Sequence, residues 1–192
     1  MSKKSPIMTL DINLSDNEIH VIGLIIARWG FIEAKIFEQV VLSFDDEEPF
    51  PKAMNNAQFS KVLELWIERV ARKKDDIRRD VLEKQYEEIK NLSPSRQAIV
   101  HSKWEWSPGK LTAVRVHKKN IISAVFTFSD LTDIATRLGQ VHYYVSYPKG
   151  IEDLSAERME KGFGISRIGA ELLSGQAYFS KDGKIVRKSE ET

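Results

Sequence analysis

Residues 93–106 read SPSRQAIVHSKWEW, and they set where the helical part of the chain gives way to something else. Ser93 fits a helix cap and Pro94 fits the first helical position, so the stretch predicts a helix over about 94–104. That helix would be apolar at Ile99, Val100 and Trp104, yet it also carries a fixed cation, Arg96, and a titratable imidazole, His101.

Upstream, the spacing is helical. SDNE at 15–18 is a capping box, with Ser15 as cap and Glu18 three residues on. Apolar residues recur at Ile19, Ile22, Ile26, Trp29, Ile32, Ile36 and Val40, and Ile25, Phe37, Val41 and Phe44 widen the stripe, which predicts a central helix over 17–44. DDEEPFP at 45–51 ends it in a loop. Two further stripes (Phe59, Val62, Leu63, Trp66, Val70; then Ile77, Val81, Leu82, Ile89, Leu92) predict one long or slightly broken helix over 56–91. The charged RKKDDIRRD between them reads as a solvated stretch of that helix, with Asp75 and Arg79 as an opposite-charge pair one turn apart.

Downstream, the period changes. KLTAVRV and NIISAVFTF are β-branched and aromatic with HKKN as a turn, predicting a hairpin with strands near 111–116 and 121–128. Ser129 is taken as the cap of a helix over 130–146, with Leu131, Ile134, Leu138, Val141 and Val145 as its stripe, stopped by Pro148 and Gly150. Beyond 149 the pattern weakens, apart from a small hairpin expected around Asp182 and Gly183. The expected organisation is a helical domain over 1–148 and a C-terminal extension over 149–192.

Composition narrows the function classes. The chain has 192 residues, with 29 Lys and Arg against 28 Asp and Glu, so any nucleic-acid surface must be a local patch. Cysteine is absent, which excludes disulfides, thiolate metal sites and cysteine nucleophiles. The four histidines, His20, His101, His117 and His142, show no HxxxH or HExxH spacing, so no metal site is expected. GFG at 162–164 lacks the third glycine and the lysine of a phosphate loop, and no cofactor is expected. No signal-like or membrane-length apolar run is present, so the expectation is a cytoplasmic protein with no membrane contact.

Arg96 and His101 together suit metal-free RNA cleavage. A neutral imidazole takes the proton of a ribose 2′-hydroxyl, which attacks the adjacent phosphodiester, while a guanidinium holds the phosphate and stabilises the charge developing on it. On an ideal helix, residues five apart lie about 140° apart, so the two side chains would bracket a cleft.

RQAIVH resembles the R-x4–6-H motif of HEPN-domain proteins, and IVHSKW resembles the surroundings of that motif in some members. The likeness extends to the long preceding helices, including RWGFIE at 28–33, and covers about residues 15–147. A second spacing match, Arg137 to His142 in RLGQVH, lies in a later amphipathic helix whose apolar stripe accounts for it. The resemblance implies a mainly α, HEPN-like helical bundle with a β-hairpin after the motif helix. It implies a metal-independent endoribonuclease of the toxin or phage-defence type, with His101 as general base and Arg96 as phosphate clamp. It also implies a homodimer that brings two motifs into one cleft, acting on RNA. Gln97 departs from the Asn, Asp or His that often follows the arginine, and it is a supporting candidate with Arg28 and Glu33 on the first helix.

Other readings compete. The same bundle could serve as a catalytically inactive interaction and oligomerisation module, with 149–192 docking an antitoxin or another protein. A nucleotide sensor is a third reading. Trp104 and Trp106 suit either base stacking or the core, and the basic residues of 69–79 suit either an RNA backbone or a solvated face.

Overall fold

The first helix, α1 (Asp16–Val41), starts where the capping box places it. The Ser15 amide donates to Glu18 Oε2 at 2.7 Å, and the Glu18 amide donates to Ser15 Oγ at 3.3 Å. In the computed structural model, residues 14–45, 51, 58–117, 119–161, 177–179 and 185–187 are described. They form α1, α2 (Phe59–Arg69), a 3-10 turn (Ala71–Lys73), α3 (Asp76–Val100), β1 (Lys103–Ser107), β2 (Lys110–His117), β3 (Asn120–Phe126), α4 (Phe128–Ser146), α5 (Ile151–Glu160), β4 (Ala177–Phe179) and β5 (Ile185–Arg187). The chain is mainly helical, and it divides into two compact units of two segments each: Met1–Gly30 with Ile89–Gly139, and Phe31–Glu88 with Gln140–Thr192. Residue 148 falls within the second unit.

In the first unit, β1, β2 and β3 form an antiparallel sheet in that order. The register pairs Trp104 with Ala113 and Leu111 with Phe126, and the alternation along the strands puts these four residues on one face of the sheet. Leu111, Ala113 and Phe126 are buried, as are Val21, Ile25 and Trp29 of α1, Ile89, Leu92 and Ile99 of α3, and Leu131, Ile134 and Leu138 of α4. Full burial of one such aliphatic side chain contributes roughly 1.5–3 kcal/mol. The expected hairpin is therefore a three-stranded meander. Ser107 pairs with Lys110 across Pro108 and Gly109, and Gly109 takes the positive φ of 72° that a glycine accepts without strain.

The separate helix expected from 94 does not form. Pro94 lies inside α3, which runs unbroken to Val100. Ile89, Leu92 and Ile99 are buried in one helical phase across the proline, so packing on both sides outweighs the amide hydrogen bond that proline cannot make. Residues 103–107, partly assigned to that helix, are β1.

The long or slightly broken helix expected over 56–91 is broken, into α2 and α3 with a 3-10 turn between them. In the second unit, α2 ends at Arg69, and Val70 and Ala71 bury themselves in the turn that follows. Lys74 is extended, and Asp75 caps α3 by accepting the Arg78 amide on Oδ1 at 3.1 Å. The core of this unit gathers Ile32, Ile36 and Val40 from α1, Val62, Leu63 and Trp66 from α2, Leu82 from α3, Val141 and Val145 from α4, and Leu154 from α5. Trp66 Nε1 donates to Gln39 Oε1 at 2.7 Å, and Gln39 Nε2 donates to the Val145 carbonyl at 3.0 Å, tying α2 to α1 and α1 to α4.

Two local expectations shift. The cap of α4 is Thr127, not Ser129: the Thr127 amide donates to Asp130 Oδ2 at 2.7 Å, and the Asp130 amide donates to Thr127 Oγ1 at 3.1 Å. Ser129 has Thr132 three residues on and cannot close such a box. On α1 the buried row is Val21, Ile25, Trp29, Ile32, Ile36 and Val40, whereas Ile19 and Ile26 are 43% and 46% exposed. The expected stripe of α4 is buried throughout. Strands β4 and β5 pair antiparallel as expected, and the turn between them lies outside the described residues, as do most of the 45–51 loop and the 162–164 glycines. Among the described residues no helix is long and apolar enough to cross a membrane.

Candidate functional site

Arg96 and His101 both lie in the first unit. Arg96 projects from the last turns of α3, half-buried, with its guanidinium carbon 5.4 Å from the ring centroid of the buried Trp29. That is within the range of a cation–π contact, which holds the guanidinium against the indole, and the Nε of Arg96 is buried. His101 is exposed and sits one residue past the end of α3, where its amide donates to the Gln97 carbonyl at 3.2 Å. That i→i−4 bond makes His101 the residue that closes the last turn of α3. Gln97 is half-buried in the last turn of α3.

The other candidates have structural partners. Arg28 Nη1 donates to the Ala135 carbonyl at 2.5 Å, clamping α1 to α4 inside the first unit. A Cβ at Gly139 would stand 3.3 Å from the Arg28 guanidinium, so the glycine makes room for the clamp. Glu33 is half-buried on α1 and belongs to the second unit. Trp104 is tilted against Phe126 with centroids 5.9 Å apart, which favours its core reading. The side chain of Trp106 lies outside the described residues. In the second spacing match, Arg137 donates to Asp133 at 3.4 Å, and His142 stacks on Phe31 with ring centroids 5.5 Å apart. Burial, helped by the Lys35 charge, holds the His142 imidazole below its usual range.

Two residues of the first unit escaped the sequence reading. Arg115 follows Leu111 and Ala113 on the inward face of β2, and its Nε is buried with no hydrogen-bond partner among the described residues. The alternation LTAVR carries that signal. Ser102, directly after His101, buries its hydroxyl oxygen in the same condition.

The basic run at 69–79 is mostly engaged within the second unit. Arg69 donates to the Ser43 carbonyl at 3.0 Å and lies 3.9 Å from the Phe44 ring centroid. Arg78 bridges Asp75 and Asp153, each at 2.5 Å, and Arg79 pairs with Asp76 at 2.6 Å rather than with Asp75. Burial works to raise the Asp153 pKa, but Arg78 and the Lys149 amide outweigh it and hold the carboxyl below its ordinary value. Beside this network lies a pocket of about 710 Å³.

Among the described residues no three histidine or carboxylate side chains are grouped to hold a metal ion. No known protein family, curated protein or solved structure matches the chain.

Proposed function

We propose that the chain is a metal-independent endoribonuclease of the HEPN type, with His101 as general base and Arg96 as phosphate clamp. The observation that carries this reading is the pairing, at the end of one helix, of an arginine seated on Trp29 and an exposed imidazole. A seated guanidinium presents its fork with little orientational freedom to lose, and an exposed imidazole can reach a polymer substrate. In the reaction, His101 takes the 2′-hydroxyl proton, the 2′-oxygen bonds to phosphorus, and the bond to the 5′-oxygen breaks. A proton from solvent water passes to that oxygen, leaving a 2′,3′-cyclic phosphate and a 5′-hydroxyl.

The homodimer belongs to the same proposal. Ile19, Gly23, Ile26, Gly30, Ala34, Phe37 and Val41 lie within an arc of about 80° on α1, apart from its buried row. All seven are exposed, and a Cβ at Gly23 or Gly30 would meet nothing within 4 Å in this chain. Such a face suits packing against a second copy of α1. It equally favours the second reading, an inactive interaction module, because assembly through α1 needs neither Arg96 nor His101.

The deciding experiment incubates the purified chain with total RNA in EDTA, beside His101→Ala and Arg96→Ala. Cleavage that both substitutions abolish, leaving cyclic phosphate ends, supports the nuclease. A folded dimer inert toward RNA supports the interaction module.

A further inference from the structure

The pocket of the second unit is bounded by the ends of α1 and α4, the 3-10 turn, the start of α3, and α5. Its carboxylates are engaged by protein donors. Asp75 accepts the Arg78 amide on Oδ1 and its guanidinium on Oδ2, and Asp153 accepts Arg78 on one oxygen and the Lys149 amide on the other, at 2.7 Å. Glu157 accepts Lys161 and the Tyr147 hydroxyl. Asp75, Asp153 and Glu157 are all held below the ordinary carboxylate range, so they stay ionised and satisfied near neutral pH. The donors are different. Lys73 and Lys74 are exposed, line the pocket, and have no side-chain partner among the described residues. The charged side chains left open are therefore two ammonium groups adjacent in sequence, which call for an acceptor-rich anion.

The apolar part of the wall is Leu42, Val70, Leu82, Val145, Pro148 and the ring of Tyr147, beside the polar Gln39, Ser43, Arg69 and Ser146. About 710 Å³ is several times what a bare phosphate or sulfate fills, and it falls within the usual span of small-molecule sites. A concave site bounded by several elements suits a small molecule better than a polymer, which needs an extended track.

We propose that this pocket binds a small organic phosphate monoester, with Lys73 and Lys74 receiving the dianionic phosphate and the wall from Leu42 to Tyr147 covering its carbon body. Arg78 acts here as a positioning residue: held by Asp75 and Asp153, it ties the start of α3 to α5 and so shapes the pocket. The site is independent of Arg96 and His101.

The test is calorimetric titration of the full chain with AMP and with glucose 6-phosphate, which share a phosphate and differ in body, and with inorganic phosphate and adenosine. At least one monoester should bind at one equivalent per chain, inorganic phosphate should bind more weakly, and adenosine should not bind. Lys73→Ala with Lys74→Ala should weaken the monoester at least about tenfold, as loss of charge-assisted hydrogen bonds does. Reversal of both lysines to glutamate should abolish binding, and Lys110→Ala, in the first unit, should leave it unchanged. Both lysines are exposed, so circular dichroism should show every variant folded. Failure of both monoesters at millimolar concentration overturns the proposal, as does binding indifferent to the lysine substitutions. An RNA oligomer that needs Lys73 and Lys74 while neither monoester competes would overturn it in favour of backbone contact.

Discussion

Trp66 offers a sharp test of how the second unit is held together. It is fully buried, and its indole N–H donates to Gln39, which passes a second hydrogen bond to the Val145 carbonyl. Trp66→Phe removes a hydrogen bond worth about 1 kcal/mol. It also opens about 40 Å³, which at about 24 cal/mol per Å³ adds about 1 kcal/mol. Gln39→Leu leaves the buried Trp66 N–H without its acceptor, at about 1–3 kcal/mol, and also frees the Val145 carbonyl. In the double variant no indole N–H remains to be left unpaired, so the two changes should cost about 1 kcal/mol less together than their sum. Urea denaturation followed by far-ultraviolet circular dichroism measures all four chains, and each kcal/mol should appear as a Tm shift of about 2–4 °C in a chain of this size. Additivity within about 0.3 kcal/mol would show that the Trp66–Gln39 bond contributes nothing to stability. Gln39 and Val145 also line the pocket, so the same variants should weaken monoester binding.

Other outcomes follow from single contacts. His101→Ala should lower RNA cleavage about 10²- to 10⁴-fold, and Arg96→Lys should restore only part of what Arg96→Ala loses, read as the rate of cyclic-phosphate formation. Burial holds His142 below its usual pKa, so the unfolded chain binds its proton more readily; stability is complete above about pH 6.5 and falls on acidification through the pH of the folded group. His142→Phe, which keeps a ring on Phe31, should remove that step from a plot of Tm against pH. Arg28→Ala should destabilise the first unit by roughly 1.5–3 kcal/mol, the worth of a hydrogen bond to a charged group, and Gly139→Leu should mimic it by displacing the guanidinium; a stable, unshifted Gly139→Leu chain would refute the clamp.

The sequence alone determined what depends on neighbours within a turn or a strand. The Ser15–Glu18 box, the buried stripe of α4 and the pairing of β2 with β3 are local patterns, and local geometry obeyed them. So did the mainly helical class of the chain, because the apolar period persists over many turns. Some signals were present but outcompeted in the reading. TFSD at 127–130 encodes a better box than Ser129 does, and WEWSPGK at 104–110 encodes an alternating strand and a turn, hidden behind a helix start read into Ser93 and Pro94.

Tertiary structure decided the rest. Pro94 stays inside α3 because Ile89, Leu92 and Ile99 are buried on either side of it, and only packing can override a local breaker. Val70 and Ala71 turn the chain between α2 and α3 because they find a core there, although their spacing fits a helix as well. Which apolar row of α1 is buried and which is bare could not be read from a helix apolar on several faces, since periodicity gives the angle between rows and not the direction of the core. Arg28 was singled out by its type and location, and its clamp on the Ala135 carbonyl exists because the chain returns α4 to α1. The pocket beside Asp153 likewise joins residues far apart in sequence, a meeting that no local pattern encodes.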